Sequence, residues 1–239
     1  MSMDDPKPVL TTDDVELGDY DFSIGAILSE SWKRTNGLKG AFWAAGAIAV
    51  FAILGLSIFV GGGMSVVVGN ADSIAGVLSS VLLQLVIMAV MYPYAAGVMM
   101  LGIDRSVDLP VSYKSVFGYF PYTLPLLAVA VLMSVLITIG FLLLLAPGIY
   151  LSLAYIFAVP LVVEKNLGIW EAMETSRRKV TRHWFKLFFL FLIMGIILFI
   201  SALPFGLGLI WTYPMTVAMV GVLYRDIFGV ETAETSLQP

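Results

Sequence analysis

The residues best suited to bind an anionic group are concentrated in one run, Gly168–Lys186. This run carries five cationic side chains: Arg177, Arg178, Lys179, Arg182 and Lys186. Guanidinium and ammonium groups bind phosphate and carboxylate oxygens through charge-assisted hydrogen bonds. The chemistry they predict is binding of anionic lipid headgroups, to which each cation near a membrane contributes about 1 kcal/mol. The alternative is topological: the cations only keep the segment on the cytosolic side.

The same run has the periodicity of an amphipathic helix. Four large apolar side chains recur at helical spacing: Trp170, Met173, Val180 and Trp184. Glu171 and Glu174 precede the cations, an order that the helix dipole favours. A basic amphipathic helix with tryptophan at both ends is typical of a helix lying in a membrane interface. We expect it to lie parallel to the bilayer at the cytosolic surface.

Two further segments are predicted to lie in the same plane. A helix over Phe22–Asn36 places Lys33 and Arg34 near its end, and Gly37 is expected to terminate it. A short amphipathic piece over Pro110–Phe120 follows the second span. Lys33 and Arg34 therefore join the candidate headgroup ligands, and the cations are expected to form one patch.

Other kinds of chemistry find little support. His183 is the only histidine and the chain has no cysteine, so no metal site is predicted. The run Gly61–Gly63 lacks the Lys-Ser/Thr of a phosphate loop. No catalytic residue or cofactor is predicted, and an enzyme is the last of the hypotheses. Nucleic acid is not expected as a partner, because the basic residues lie against the membrane.

A second hypothesis concerns polar groups inside the predicted spans. Gln84 cannot satisfy its amide alone in lipid, and it could line a cavity together with three aromatic residues: Tyr92, Tyr155 and Tyr213. Such a cavity would suit a transporter or channel for a small neutral or amphipathic solute. The alternative for Gln84 is a hydrogen bond between helices, worth about 1 kcal/mol. The alternative for the tyrosines is anchoring at the membrane interface.

Composition places the chain among membrane proteins. Hydrophobic residues make up 59% and charged residues 13%, against roughly a half and a quarter in soluble domains. The net charge of −4 is unevenly distributed, because residues 1–21 carry seven acids and one lysine, a net of −6. This segment is predicted to be a disordered cytosolic tail, which either competes for the cationic patch or stays solvated. Residues 230–239 are predicted to form a second, short cytosolic tail.

Six spans are predicted in residues 22–229, giving an all-α integral membrane fold of three hairpins. Spans one and two are Leu38–Val60, ended by Gly61–Gly63, and Ile74–Ile103; each is long enough for the roughly 20 residues that a bilayer requires. The uncharged stretch Ser115–Val163 is broken at Pro147-Gly148, and Leu187–Tyr224 is broken at Pro204–Gly206. All 13 lysines and arginines lie before or at the start of span one, between spans two and three, between spans four and five, or after span six, which predicts cytoplasmic termini.

The layout repeats three times, over residues of about 22–105, 110–165 and 168–229. Each unit has an in-plane amphipathic helix followed by two spans. Tyr92-Pro93 in span two matches Tyr213-Pro214 in span six. Spans two and six are expected to bend at these prolines.

One set of motifs carries a resemblance to a known family. The run Leu145–Leu151, then Pro160, Glu164, Trp170-Glu171-Ala172 and Ser176, is similar to the membrane domain of bacterial glycerophosphoryl diester phosphodiesterases and to its stand-alone six-span relatives, which are largely uncharacterised. The catalytic barrel of those enzymes is absent, so the resemblance implies a six-helix bacterial inner-membrane fold without their activity. We therefore expect a non-enzymatic protein that organises or senses anionic lipid, or that serves as a membrane subunit, as a homo-oligomer or with a protein partner.

Overall fold

The computed structural model describes residues 20–68 and 74–230, and within these ranges the chain is helical with no strand. The 3₁₀ helix η1 spans Ser115–Tyr122. The α-helices are α1 (Ile24–Val68), α2 (Ile74–Ser106), α3 (Thr123–Leu143), α4 (Leu145–Ala154), α5 (Ala158–Glu164), α6 (Ile169–Arg182), α7 (Trp184–Ala202) and α8 (Leu209–Phe228). The all-α prediction is confirmed. The predicted tails lie almost wholly outside the described residues.

Helix α1 consists of two segments that meet at a kink. Asn36 and Gly37 have non-helical backbone angles, and Gly37 has a φ of 115° that favours glycine. We call residues 24–35 α1a and residues 38–68 α1b. The predicted helix end at Gly37 is confirmed. The predicted end at Gly61–Gly63 is wrong, because α1b continues to Val68; a glycine inside a helix costs only about 1 kcal/mol.

Among the described residues, five helical segments are long and apolar enough to cross a membrane: Ile24–Ile58, Gly76–Ser106, Ser115–Leu143, Leu145–Glu164 and Trp184–Ala202. Their length and composition are those of an α-helical membrane protein. Helix α8, which covers most of the predicted sixth span, is not one of the five. It carries Arg225 and Asp226, which lower its mean hydropathy.

Helix α8 is nevertheless the most enclosed of the long helices. Its buried side chains include Met215, Met219 and Tyr224, and it packs against both α1 and α2. The contact with α2 is made by backbone, because a Cβ atom at Gly221 would overlap the carbonyl group of Gly102. Glycine at both positions lets the two helices approach this closely.

The chain reverses between α3 and α4 at one residue. Leu144 is extended (φ −165°, ψ 155°), and Gly140 of α3 lies against Gly148 of α4. The predicted break at Pro147-Gly148 therefore falls three residues too late. Pro147 lies in the first turn of α4, where its missing N–H costs no helical hydrogen bond.

Two other segments differ from their sequence-based predictions. The piece predicted over Pro110–Phe120 begins later, as the 3₁₀ helix η1, and buries Val116. The fourth predicted span is interrupted at residues 155–157, between α4 and α5. Pro93 and Pro214 lie inside continuous helices, so the bends at these prolines stay a prediction.

The backbone contact between α2 and α8 yields the first prediction. Replacing Gly221 with leucine should lower the free energy of unfolding by about 2–3 kcal/mol or prevent folding, because the side chain has no space beside Gly102. Gly195→Ala is the control, since no atom lies within 4 Å of a Cβ there. Thermal unfolding in detergent measures both variants. Equal stability of Gly221→Leu and Gly195→Ala would contradict the prediction.

Candidate anion-binding site

Helix α6 is capped at its start by Gly168 and is hydrogen-bonded to the neighbouring helices α4 and α5 by Ser176. The Gly168 N–H donates to the Glu171 carboxylate at 3.3 Å, which satisfies a free backbone donor at the helix start. The hydroxyl of Ser176 donates to the carbonyl of Ala154 at 2.7 Å and accepts from the N–H of Phe157 at 3.3 Å. Ser176 thus supplies hydrogen-bond partners to two backbone groups at the interruption between α4 and α5. These bonds stabilise the non-helical backbone there.

Three of the five cations predicted on one helix over Gly168–Lys186 are paired with Glu174 or buried on α6. Arg177 forms two hydrogen bonds to Glu174 at 2.8 and 2.7 Å, and Arg178 binds the same carboxylate at 2.7 Å. Lys179 is 2% exposed, and burial lowers the pKa of its ammonium group. These three residues therefore present less free positive charge than the sequence suggests.

The shared carboxylate of Glu174 has a pH-dependent effect on α6. Hydrogen bonds from Arg177, and then from Arg178, lower the pKa of Glu174 from 4.5 to about 2. Because the folded-state pKa is depressed, the stabilisation is present above about pH 4.5 and disappears as the pH falls toward 2.

The other two predicted cations, Arg182 and Lys186, line a groove of about 530 Å³. We call it the α6–α7 groove; its remaining lining is Ala146, Tyr150, Thr181, His183, Trp184 and Phe185. The hydroxyl groups of Tyr150 and Thr181 are hydrogen-bonded at 2.7 Å, and the rings of Tyr150 and Trp184 lie 6.1 Å apart. Cationic groups therefore adjoin an apolar, aromatic wall in one groove.

The first described residues of the chain lie at the edge of this groove. Asp21 forms an ion pair with Lys186, whose hydrogen bond lowers the pKa of Asp21. The hydroxyl of Tyr20 donates to the carbonyl of Lys179 at 2.9 Å, and its ring meets the His183 ring edge-on at 4.9 Å. Sequence reasoning missed these contacts, although an aromatic residue next to the last acid of the tail was a usable signal.

The groove also conflicts with part of the six-span arrangement. That arrangement places the turn between α3 and α4 on the side opposite to Arg182 and Lys186. In the structure, Ala146 lies two residues after the turn and lines the same groove as Lys186. The α3–α4 turn therefore lies beside Arg182 of α6 and Lys186 of α7.

Lys33 and Arg34 are located elsewhere, and only Lys33 is exposed. Arg34 binds Glu30 at 2.7 Å, Asp108 at 3.0 Å and the carbonyl of Arg105 at 2.6 Å. Arg34 therefore belongs to a network between α1a and the end of α2, at the opposite end of α1a from Asp21.

Arg225 of α8 completes this network, which we call the polar layer. Its guanidinium group contacts both carboxylate oxygens of Glu30, at 2.6 and 3.1 Å, and donates to the carbonyl of Ser106 at 2.8 Å. It also pairs with Asp226 at 2.8 Å. One residue of α8 thus connects α1a to α2. From the sequence, Arg225 was counted only among the 13 cations that indicate the cytosolic side.

A second polar group lies where α2, α5 and α8 end. The buried Glu164 accepts a hydrogen bond from the hydroxyl of Tyr224 at 2.7 Å and lies 3.5 Å from Lys165. Glu164 and Asp104 line a cavity of about 230 Å³, together with Tyr119, Tyr122 and four apolar residues. No cluster of three metal-ligating side chains occurs within the described residues.

The four residues predicted to line a solute cavity occupy different surroundings. Gln84 is exposed on α2, and Tyr92 is half-buried against the core. Tyr155 is buried beside the interruption between α4 and α5. Tyr213 is exposed and lines an apolar groove of about 560 Å³ between α1b and α8, with Phe42 and Trp43 among its neighbours.

Comparison of the chain with family models, with curated proteins and with solved structures finds no match. The resemblance to the phosphodiesterase membrane domain therefore stays an expectation. The function has to be inferred from the groove and from the polar layer.

The polar layer yields the second prediction. Arg225→Met should lower the free energy of unfolding by about 2–4 kcal/mol, because Glu30 and the Ser106 carbonyl lose a charged donor. Arg225→Lys should recover part of this loss, since it restores the charge but not the planar fork. Arg178→Met, on the exposed face of α6, is the control. Unfolding in detergent measures all three, and an Arg225→Met protein as stable as the control would contradict the role of Arg225.

Proposed function

We propose that this protein is a non-enzymatic, multi-pass membrane protein that binds anionic lipid headgroups in the α6–α7 groove, to organise or sense the lipid or to act as a membrane subunit for partners. The observation that carries the proposal is the side-by-side arrangement of Arg182 and Lys186 with the apolar wall of Trp184 and Phe185. Phe185 is 71% exposed although it is a large apolar side chain.

An anionic lipid matches both parts of the groove. Its phosphate would contact the cations, and its upper acyl chain would lie along the exposed aromatic and leucine side chains. Charge attraction alone gives about 1 kcal/mol for each cation near the surface. Burial of apolar area contributes about 25 cal/mol per Å². This combination favours a lipid over a small soluble anion.

The third prediction tests this site. Replacing Arg182 and Lys186 together with glutamine should reduce the copurified anionic lipid seen by native mass spectrometry by at least fivefold. The matched control, Arg177 and Arg178 changed to glutamine, should lose less than twofold, since Glu174 already neutralises part of their charge. Higher salt should weaken the preference for anionic over zwitterionic lipid, because exposed charges are screened within about 8 Å.

If the Arg182/Lys186 variant retains as much lipid as the wild-type protein, the proposal is wrong. These two residues are then topology signals only. The same spectra report subunit number, which tests the proposed homo-oligomer or partner.

The proposed topology keeps both termini in the cytoplasm of a bacterial cell, with α1b, α2, α7 and α8 crossing the inner membrane. The α3–α4 turn is assigned to the cytosolic half of the bilayer, because it adjoins Arg182 and Lys186. Four consecutive exposed leucines, Leu142–Leu145, make this turn suited to hydrocarbon rather than to water. This arrangement replaces the six predicted crossings with four crossings and one re-entrant helix pair, α3 and α4.

Cysteine labelling provides the fourth prediction, since the natural chain has no cysteine. Leu145→Cys should resist a membrane-impermeant maleimide applied from outside intact cells. Asn70→Cys should react under the same conditions, and Asp108→Cys should react only after the cells are opened. External labelling of Leu145→Cys at the rate of Asn70→Cys would restore the six-crossing arrangement.

A second candidate function is passage of a small solute, as a transporter or channel. The cavity lined by Asp104 and Glu164 favours it, because carboxylates at the end of membrane helices often mark solute pathways. Gln84 is exposed and does not line this cavity. Solute flux in proteoliposomes that disappears in Asp104→Asn, while lipid binding is unchanged, would favour transport.

A further inference from the structure

We infer that the acidic N-terminal segment, residues 1–19, docks on the α6–α7 groove and competes there with anionic lipid. The inference rests on the proposed function for the identity of the competitor, but the docking itself does not depend on lipid. It makes the segment an internal occupant of the groove, displaced when the headgroup binds.

The point at which the described chain begins is the first argument. Asp21 is paired with Lys186, one of the two cations that line the groove. Tyr20 is held by its hydroxyl on the Lys179 carbonyl and by its ring on His183. These contacts fix the end of the segment at the groove edge, so residues 1–19 extend from a point already in contact with it.

Charge complementarity is the second argument. Residues 1–19 contain one lysine and six acids, a net of −5: Asp4, Asp5, Asp13, Asp14, Glu16 and Asp19. Four of these acids fall within the eight positions before Tyr20. Because the segment is tethered beside Lys186, its effective concentration at the groove is in the millimolar range. A weak attraction for each carboxylate therefore suffices for substantial occupancy.

The same considerations limit how much of the segment docks. Ordering each residue costs about 1–2 kcal/mol of backbone entropy, and this segment has few apolar side chains to offset it. The residues nearest the anchor, from Asp13 to Asp19, are accordingly assigned to the groove, and those before Asp13 add only long-range attraction. Asp21 already occupies one cation, so a headgroup phosphate has to displace it to bind Lys186.

Crosslinking of the full chain in detergent tests the docking. Glu16→Cys is combined with Phe185→Cys, in the groove, or with Asp108→Cys, which lies by Arg34 at the other end of α1a. Disulfide formation should be at least fivefold faster in the first pair. Changing Asp13, Asp14 and Asp19 to asparagine should slow the first pair at least threefold and leave the second unchanged, since tethering through Tyr20 and Asp21 accounts only for the remaining difference. Phosphatidylglycerol should slow the first pair while phosphatidylcholine does not.

Equal rates in the two pairs, or a rate for the Phe185 pair that neutralisation of the acids leaves unchanged, would overturn the docking. Competition has its own readout in native mass spectrometry: deletion of residues 2–19 should raise anionic-lipid retention at least threefold, and unchanged retention would overturn the competition. Failure of the proposed function has a different signature. Lipid retention would be unchanged in the Arg182/Lys186 variant, while the crosslink to Phe185 would still form in the protein that keeps both cations.

Discussion

The fold depends on neutralising Arg225, a guanidinium group at the end of the most enclosed helix. A charge that is largely withdrawn from water has to be paired and hydrogen-bonded, or the helix that carries it is expelled from the core. Glu30, the Ser106 carbonyl and Asp226 meet this requirement, and they come from α1a, from the end of α2 and from α8 itself. Pairing one charge therefore fixes three elements relative to one another.

The polar layer and the glycine contact act together on α8. Gly102 and Gly221 bring the backbones of α2 and α8 into contact about one turn from Arg225, which aligns the guanidinium group with its partners. Close packing also accommodates the polar groups of α8 that face protein, namely Thr212, Tyr224 and the guanidinium group of Arg225. The α6–α7 groove lies outside the contact between α2 and α8. Its side chains are more exposed than those of α8.

Sequence patterns predicted the helices better than the contacts between them. The kink at Gly37 and the start of α6 after Gly168 followed from glycine and from apolar periodicity, which are local properties. The predicted continuation of this helix to Lys186 is wrong, because α6 ends at Arg182 and Lys186 lies on α7. The pairing of Arg177 and Arg178 with Glu174 was predictable in part from their spacing. Periodicity carried no information about contacts between residues far apart in the chain. Examples are the burial of Lys179, the pairing of Arg225 with Glu30, and the proximity of Ala146 to Lys186. The position of Leu144 was missed because Pro147 is tolerated in a first helical turn.

The hydrogen bond from Tyr20 to the carbonyl of Lys179 spans 159 residues of sequence. During synthesis Tyr20 leaves the ribosome before Lys179, so its hydroxyl group stays without this acceptor until the intervening helices and α6 have been made. Under the proposed orientation, the N-terminal segment has to remain in the cytosol for that whole interval, because export of Tyr20 would separate it from α6 permanently. The contact between Tyr20 and α6 therefore forms late, although Tyr20 itself is made early.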